Sequence, residues 1–129
     1  MPYYKHMGNL VITEGVKSLA DSAGCYWLLD IIASYQHVAK KDNMLRDMQF
    51  WHLRPNKWEG DPKTLLQYLA PDESGGKFDA HVTCERDTDN VAIAQQIIYT
   101  DFPFKTTPEV KLYVQNNGSC MVVCLPEEY

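Results

Sequence analysis

Between residues 15 and 41 the apolar side chains recur at helical spacing, and beyond residue 48 they alternate or gather in short runs. Val16, Leu19, Ala20 and Ala23 fall at i, i+3, i+4 and i+7, which is one face of a helix. Thr13 stands at the N-cap position, and Glu14 follows in the first turn, where a carboxylate suits the orphan N–H groups. Gly24 interrupts the pattern and predicts two helices meeting at a left-handed cap, the alternative being a close contact within one continuous helix. After it, Trp27, Leu28, Ile31, Ile32, Tyr35 and Val38 form a second stripe about 140° wide, with Leu29, Ala33 and Gln36 on the back. Asp30 and Ser34 lie on the stripe's margin, Lys40-Lys41 suits the negative end of the helix, and Asp42-Asn43 ends it. Before the helices, an arm of Tyr3, Tyr4 and His6 leads into Leu10-Val11-Ile12, a short extended entry or docking segment.

The remaining chain reads as strands. Residues 48–54 carry Phe50, Trp51 and Leu53, and Pro55-Asn56 stops them. At 61–69, Asp61 caps, Pro62 takes the first helical position and Pro71 stops the run, so a short helix is inserted between strands. In 78–85, Phe78, Ala80, Val82 and Cys84 alternate with Asp79, His81, Thr83 and Glu85, as in a half-buried antiparallel strand. Residues 91–100 return. Gln115-Asn116-Asn117-Gly118 joins strands at 110–114 and 119–125, and its Asn-Gly favours a primed turn whose twist matches paired strands. Both faces of 119–125 are apolar, which places that strand inside a sheet or against a partner. The fold expected is therefore α+β, one domain over 1–129, a meander of about five antiparallel strands covered on one face by the N-terminal helices.

Composition narrows the function by exclusion. A net charge of −5 with twelve scattered basic residues argues against nucleic acid, because phosphate neutralisation needs clustered Lys and Arg. No run approaches the roughly 20 apolar residues of a membrane span. Residues 1–12 lack the apolar core of a signal peptide, so the expected location is the cytoplasm, with the four cysteines as free thiols.

Several stretches together carry a family resemblance. They are Thr13-Glu14-Gly15-Val16-Lys17, Ala23-Gly24-Cys25-Tyr26-Trp27-Leu28-Leu29-Asp30, Ala33-Ser34-Tyr35-Gln36 and Tyr99-Thr100-Asp101-Phe102-Pro103. Leu112-Tyr113 and the closing Leu125-Pro126-Glu127-Glu128-Tyr129 complete the pattern. The chain resembles, over nearly its whole length, a family of small uncharacterised proteins from bacteria, phages and other mobile elements. That resemblance implies a context, and it implies no catalytic residues.

Residue by residue, catalytic signatures do not accumulate. Cys120 and Cys124 would lie roughly 13 Å apart on one strand, too far for thiolates that each sit about 2.3 Å from a zinc ion. His81 and Cys84 fall on opposite strand faces, and no glycine-rich phosphate loop or nucleophile elbow is present. Neither a metal nor a cofactor is expected. Asp30 is the one charge inside the apolar octet 25–32, and it reads either as a perturbed acid or as a solvated helix margin. Tyr99, Asp101, Phe102 and Phe104 form an aromatic loop beside Pro103, read either as exposed interface anchors or as rings tucked into the core. The function expected first is thus a non-enzymatic protein that binds a protein partner. A second reading is a small-molecule binder or small enzyme with a pocket lined by Trp27, Asp30, Tyr35 and His81. A third is a structural homo-oligomer.

Overall fold

The computed structural model describes residues 3–8, 10–55, 80–87, 90–97, 99–104, 107 and 109–129. The helix expected at 61–69 lies outside the described residues. The elements in order are β1 (Tyr3–Met7), β2 (Leu10–Thr13), α1 (Glu14–Ala23), α2 (Tyr26–Ser34), the short α3 (Gln36–Ala39), β3 (Met48–Pro55), β4 (Ala80–Glu85), β5 (Val91–Ile97), β6 (Val110–Asn116) and β7 (Met121–Cys124). A 3-10 turn, Pro126–Glu128, follows β7. The architecture is mixed α+β with a seven-stranded sheet in the order β1-β2-β7-β6-β3-β4-β5. That order corrects the five-strand meander. Two strands come from the N-terminal arm, and β2 runs parallel to β7.

The chain divides into two compact units, Met1–Phe50 with Leu112–Tyr129, and Trp51–Lys111. In the first, Gly24 adopts φ 64° and ψ 36°, the left-handed cap expected of it, and its N–H donates to the carbonyl of Ala20. Gly needs no Cβ there, so α1 ends without strain. The helix that follows starts afresh at Tyr26, and its buried side chains are Leu28, Leu29 and Ile32. The stripe drawn from sequence put Leu29 on the back and Val38 in the core, whereas Leu29 is buried and Val38 is exposed. The break at Gly24 frees the azimuth of α2 from that of α1, and α2 ends at Tyr35, so Val38 belongs to the short α3 and not to α2.

β7 sits between β2 and β6 in the sheet, which accounts for the apolar side chains on both its faces. The β6–β7 connection is the hairpin expected, but its four-residue loop is 117–120, two positions later than the expected 115–118, because β6 runs on to Asn116 and β7 starts at Met121. The Asn117 carboxamide oxygen accepts from the backbone N–H groups of Ser119 and Cys120, so one side chain holds the loop together. Cys120 therefore lies in the loop and not on β7 with Cys124.

Two of the stretches that carry the family resemblance meet at the start of α1. The Thr13 hydroxyl accepts from the N–H of Val16 and donates to Glu128 Oε1 at 2.7 Å. The same oxygen of Glu128 accepts from the N–H of Leu125 at 2.9 Å. A Cβ on Gly15 would fall 2.8 Å from the Glu128 carboxylate, so glycine is what lets that carboxylate approach the helix start.

In the second unit β4 and β5 pair antiparallel, with His81 opposite Gln96, Thr83 opposite Ala94 and Cys84 opposite Ile93. β4 was expected to be buried on one face only. It is buried on both, from Ala80 to Cys84. The polar side chains His81 and Thr83 are as fully enclosed as Val82 and Cys84. Trp51 and Leu53 of β3 are also buried.

Candidate functional site

The outer strand β1 carries the most distinctive surface of the first unit. Its ladder with β2 pairs Tyr4 with Ile12, Lys5 with Val11 and Met7 with Leu10, leaving His6 as the extra residue of a bulge. A bulge re-aims the side chain it releases. Here His6 Nε2 meets Asp30 Oδ1 of α2 at 2.8 Å, and the imidazole stacks beside the Tyr26 ring at 6.4 Å and 18°. Two features that sequence reasoning kept apart, the N-terminal arm and the charge at Asp30, thus belong to one surface.

Hydrogen bonds and charge fix the neighbouring rings. The Tyr26 hydroxyl donates to Asp21 Oδ1 at 2.5 Å, and Lys17 Nζ donates to Asp21 Oδ2 at 3.0 Å. Lys17 also stands 5.4 Å above the centre of the Tyr4 ring, a cation–π distance. The hydrogen bond from Tyr26, joined by that of Lys17, holds the Asp21 carboxyl below its ordinary value. The same bonds to Asp21 raise Lys17 and Tyr26, so all three keep these protonation states at neutral pH. Tyr3, Tyr4 and Tyr26 remain 48%, 36% and 37% exposed, so the aromatic faces are oriented yet open to solvent.

The other residues singled out from sequence divide between the two units. Asp30 is exposed, and Trp27 and Tyr35 are half-buried in the first unit. His81, grouped with them in the pocket reading, belongs to the second unit. So does the aromatic loop. There Tyr99 is 79% exposed and Asp101 is exposed, whereas Phe102 is buried with its ring 4.7 Å from that of the half-buried Phe104.

A second polar cluster went unread in the sequence. In the second unit Arg54 Nε donates to Glu109 Oε2 at 2.6 Å, and Arg54 Nη2 lies 3.2 Å from His52 Nδ1. The guanidinium can only donate, so His52 Nδ1 is the acceptor and the ring proton sits on Nε2, 3.5 Å from Glu85 Oε2. Burial, and then the Arg54 charge, push His52 down to about 4, so the Glu85 contact joins a neutral ring to a carboxylate. Burial and Arg54 likewise bring His81 down to about 4. Burial pulls Glu109 upward, but the Arg54 hydrogen bond and charge outweigh it and hold the carboxyl below its usual value. The one sequence signal for this cluster was the i, i+2 spacing of His52 and Arg54 on a single strand face.

Neither cluster contains an activated nucleophile. The buried thiols of Cys25 and Cys124 are pushed up to about 11 by desolvation, away from thiolate reactivity. Among the described residues no group of three or more His, Cys, Asp or Glu is placed to hold a metal ion. No described helix is long and apolar enough to cross a membrane.

The fold and this surface define a small mixed α+β protein with an oriented tyrosine platform on its outer strand. Residues 1–129 match the model of a family of unknown function, DUF6876, and the chain belongs to that family. No curated protein and no solved structure matches it.

Proposed function

We propose that this protein is a non-enzymatic accessory protein that binds another protein through the platform of Tyr3, Tyr4, His6, Tyr26 and Asp30. The observation that carries the reading is the orientation of exposed tyrosines by charged neighbours. Rings fixed before contact lose little freedom on binding, and tyrosine combines a large apolar face with a hydroxyl. An acidic chain suits such a role, as does the phage or mobile-element origin that the family resemblance implies.

The test compares the wild-type chain with the Tyr4→Ala/Tyr26→Ala variant as bait in extracts of the source cell. Capture of one defined protein by the wild type, and at least tenfold less of it by the variant, is the expected result. Urea unfolding of both baits establishes that the variant is folded. Equal capture by both, or no specific partner for either, rejects the platform as the binding surface.

A further inference from the structure

We propose that an open cleft in the first unit binds a small phosphomonoester. The cleft has a volume of about 560 Å³ and is lined by Gln36, His37, Lys40, Arg46, Gln49, Asn116 and Met121. It lies within a range typical of sites for small organic ligands, roughly 300–1,000 Å³. Its rim is cationic on a chain whose net charge is −5.

Among the described residues these cations are unspent. Elsewhere Lys17 pairs with Asp21, and Arg54 and Lys111 pair with Glu109. Lys40 and Arg46 make no ion pair with any described carboxylate. Asp42 and Asp47 flank Arg46 in the chain, but neither lines the cleft. Asp42 Oδ1 accepts from the N–H groups of Met44 and Leu45.

The backbone that presents Arg46 is fastened on several sides. Asn116 Nδ2 donates to the Arg46 carbonyl at 3.1 Å, and the Asn116 N–H donates to the Asp47 carbonyl at 3.0 Å. The buried Gln49 Nε2 donates to the carbonyl of Leu45, which is itself buried. Gln49 also exchanges two amide hydrogen bonds with Gln36, at 2.9 and 3.0 Å, which fixes the floor. An exposed arginine without a carboxylate, held on an immobilised turn beside a lysine and a histidine, is arranged to receive a multiply charged oxyanion. Arginine's planar fork matches phosphate in two places, and lysine adds a point charge. The volume left beyond one phosphate group, with Met121 as an apolar wall, calls for an organic body on that phosphate.

The experiment follows backbone amide shifts of the full chain during titration with phenyl phosphate, inorganic phosphate and phenol. Phenyl phosphate should shift amides of residues 36–49 and 116–121, and bind at least tenfold more tightly than either fragment. Arg46→Gln should weaken it at least tenfold, and Lys40→Gln should act in the same direction. Both side chains are exposed and make no ion pair among the described residues, so the unbound spectra of the variants should otherwise overlay that of the wild type. No shift at these residues up to about 10 mM phenyl phosphate, a Kd weaker than the range of specific small-ligand sites, overturns the proposal. Equal affinity for inorganic phosphate overturns it as well, as does binding that survives both substitutions.

Discussion

The two units each bring a histidine against a carboxylate, and the shorter contact is the more exposed one. In the first unit His6 meets Asp30 at 2.8 Å, with the aspartate side chain 56% exposed. In the second, His52 stands 3.5 Å from Glu85, with the two side chains only 11% and 16% exposed. Distance alone would rank the first pair as stronger. Solvent reverses that order, because a charge near water is screened and a buried charge must be balanced by its neighbours. The second contact also has a third member. Arg54 occupies Nδ1 of His52, so an added proton there would face a guanidinium N–H. One pair is therefore surface chemistry, free to serve recognition, and the other belongs to a buried network in which every charge depends on another.

The comparison breaks most visibly at Glu109. Glu109→Ala leaves the Arg54 guanidinium, whose side chain is 10% exposed, without the carboxylate it meets at 2.6 Å. Losing one partner of an enclosed ion pair costs about 3 kcal/mol, because the remaining charge stays desolvated. A urea midpoint should fall accordingly, with the slope unchanged if unfolding remains two-state. A loss below about 1 kcal/mol would mean that Arg54 finds water on that side, and the contrast between the units would disappear.

Acid separates the units next. His52 and His81 have folded values near 4 against 6.5 when unfolded, so between those limits the unfolded chain binds more protons. Their contribution is fully present above pH 6.5 and is lost as pH falls through about 4. At pH 5 the cost is on the order of 2 kcal/mol for each histidine. Urea midpoints from pH 7.5 down to 4.5 should stay level and then decline below about 6.5. His52→Gln should flatten roughly half of the decline. A profile that is level to pH 5 would place these rings in contact with solvent.

The same contrast explains what the sequence could and could not disclose. The cap at Gly24 was legible because only a left-handed residue ends α1 there, and the β6–β7 hairpin because Asn117-Gly118 carries its own turn chemistry. Strand β1 was not legible. Tyr3, Tyr4, Lys5 and His6 show no alternation of apolar and polar residues, and the strand is ordered by its neighbour β2. The parallel pairing of β2 with β7 joins residues more than a hundred positions apart, and no local pattern encodes it. For the platform, the bulge that turns His6 toward Asp30 depends on that long-range register. In the second unit the polar face of β4 looked like a solvent face, because His81, Thr83 and Glu85 alternate as exposed residues do. Periodicity gives the face a residue takes and leaves open what closes over it.

The smallest effect is expected at Asp30, and it sharpens the comparison from the other side. Asp30→Asn removes the charge but keeps a side-chain oxygen of the same reach, so His6 Nε2 can still donate to it. The aspartate is more than half exposed, and an ion pair in that setting contributes no more than about 0.5 kcal/mol. The urea midpoint should therefore hold within that margin at neutral pH, under the conditions that expose the Glu109→Ala loss. Binding should not be so forgiving if the platform is used. A partner that meets Tyr26 and His6 also meets the exposed Asp30 carboxylate bonded to His6, and removing its charge changes recognition without touching the fold. Stability that drops by more than about 1 kcal/mol would make Asp30 a structural residue like Glu109, and would remove the physical ground for separating the two histidine–carboxylate contacts.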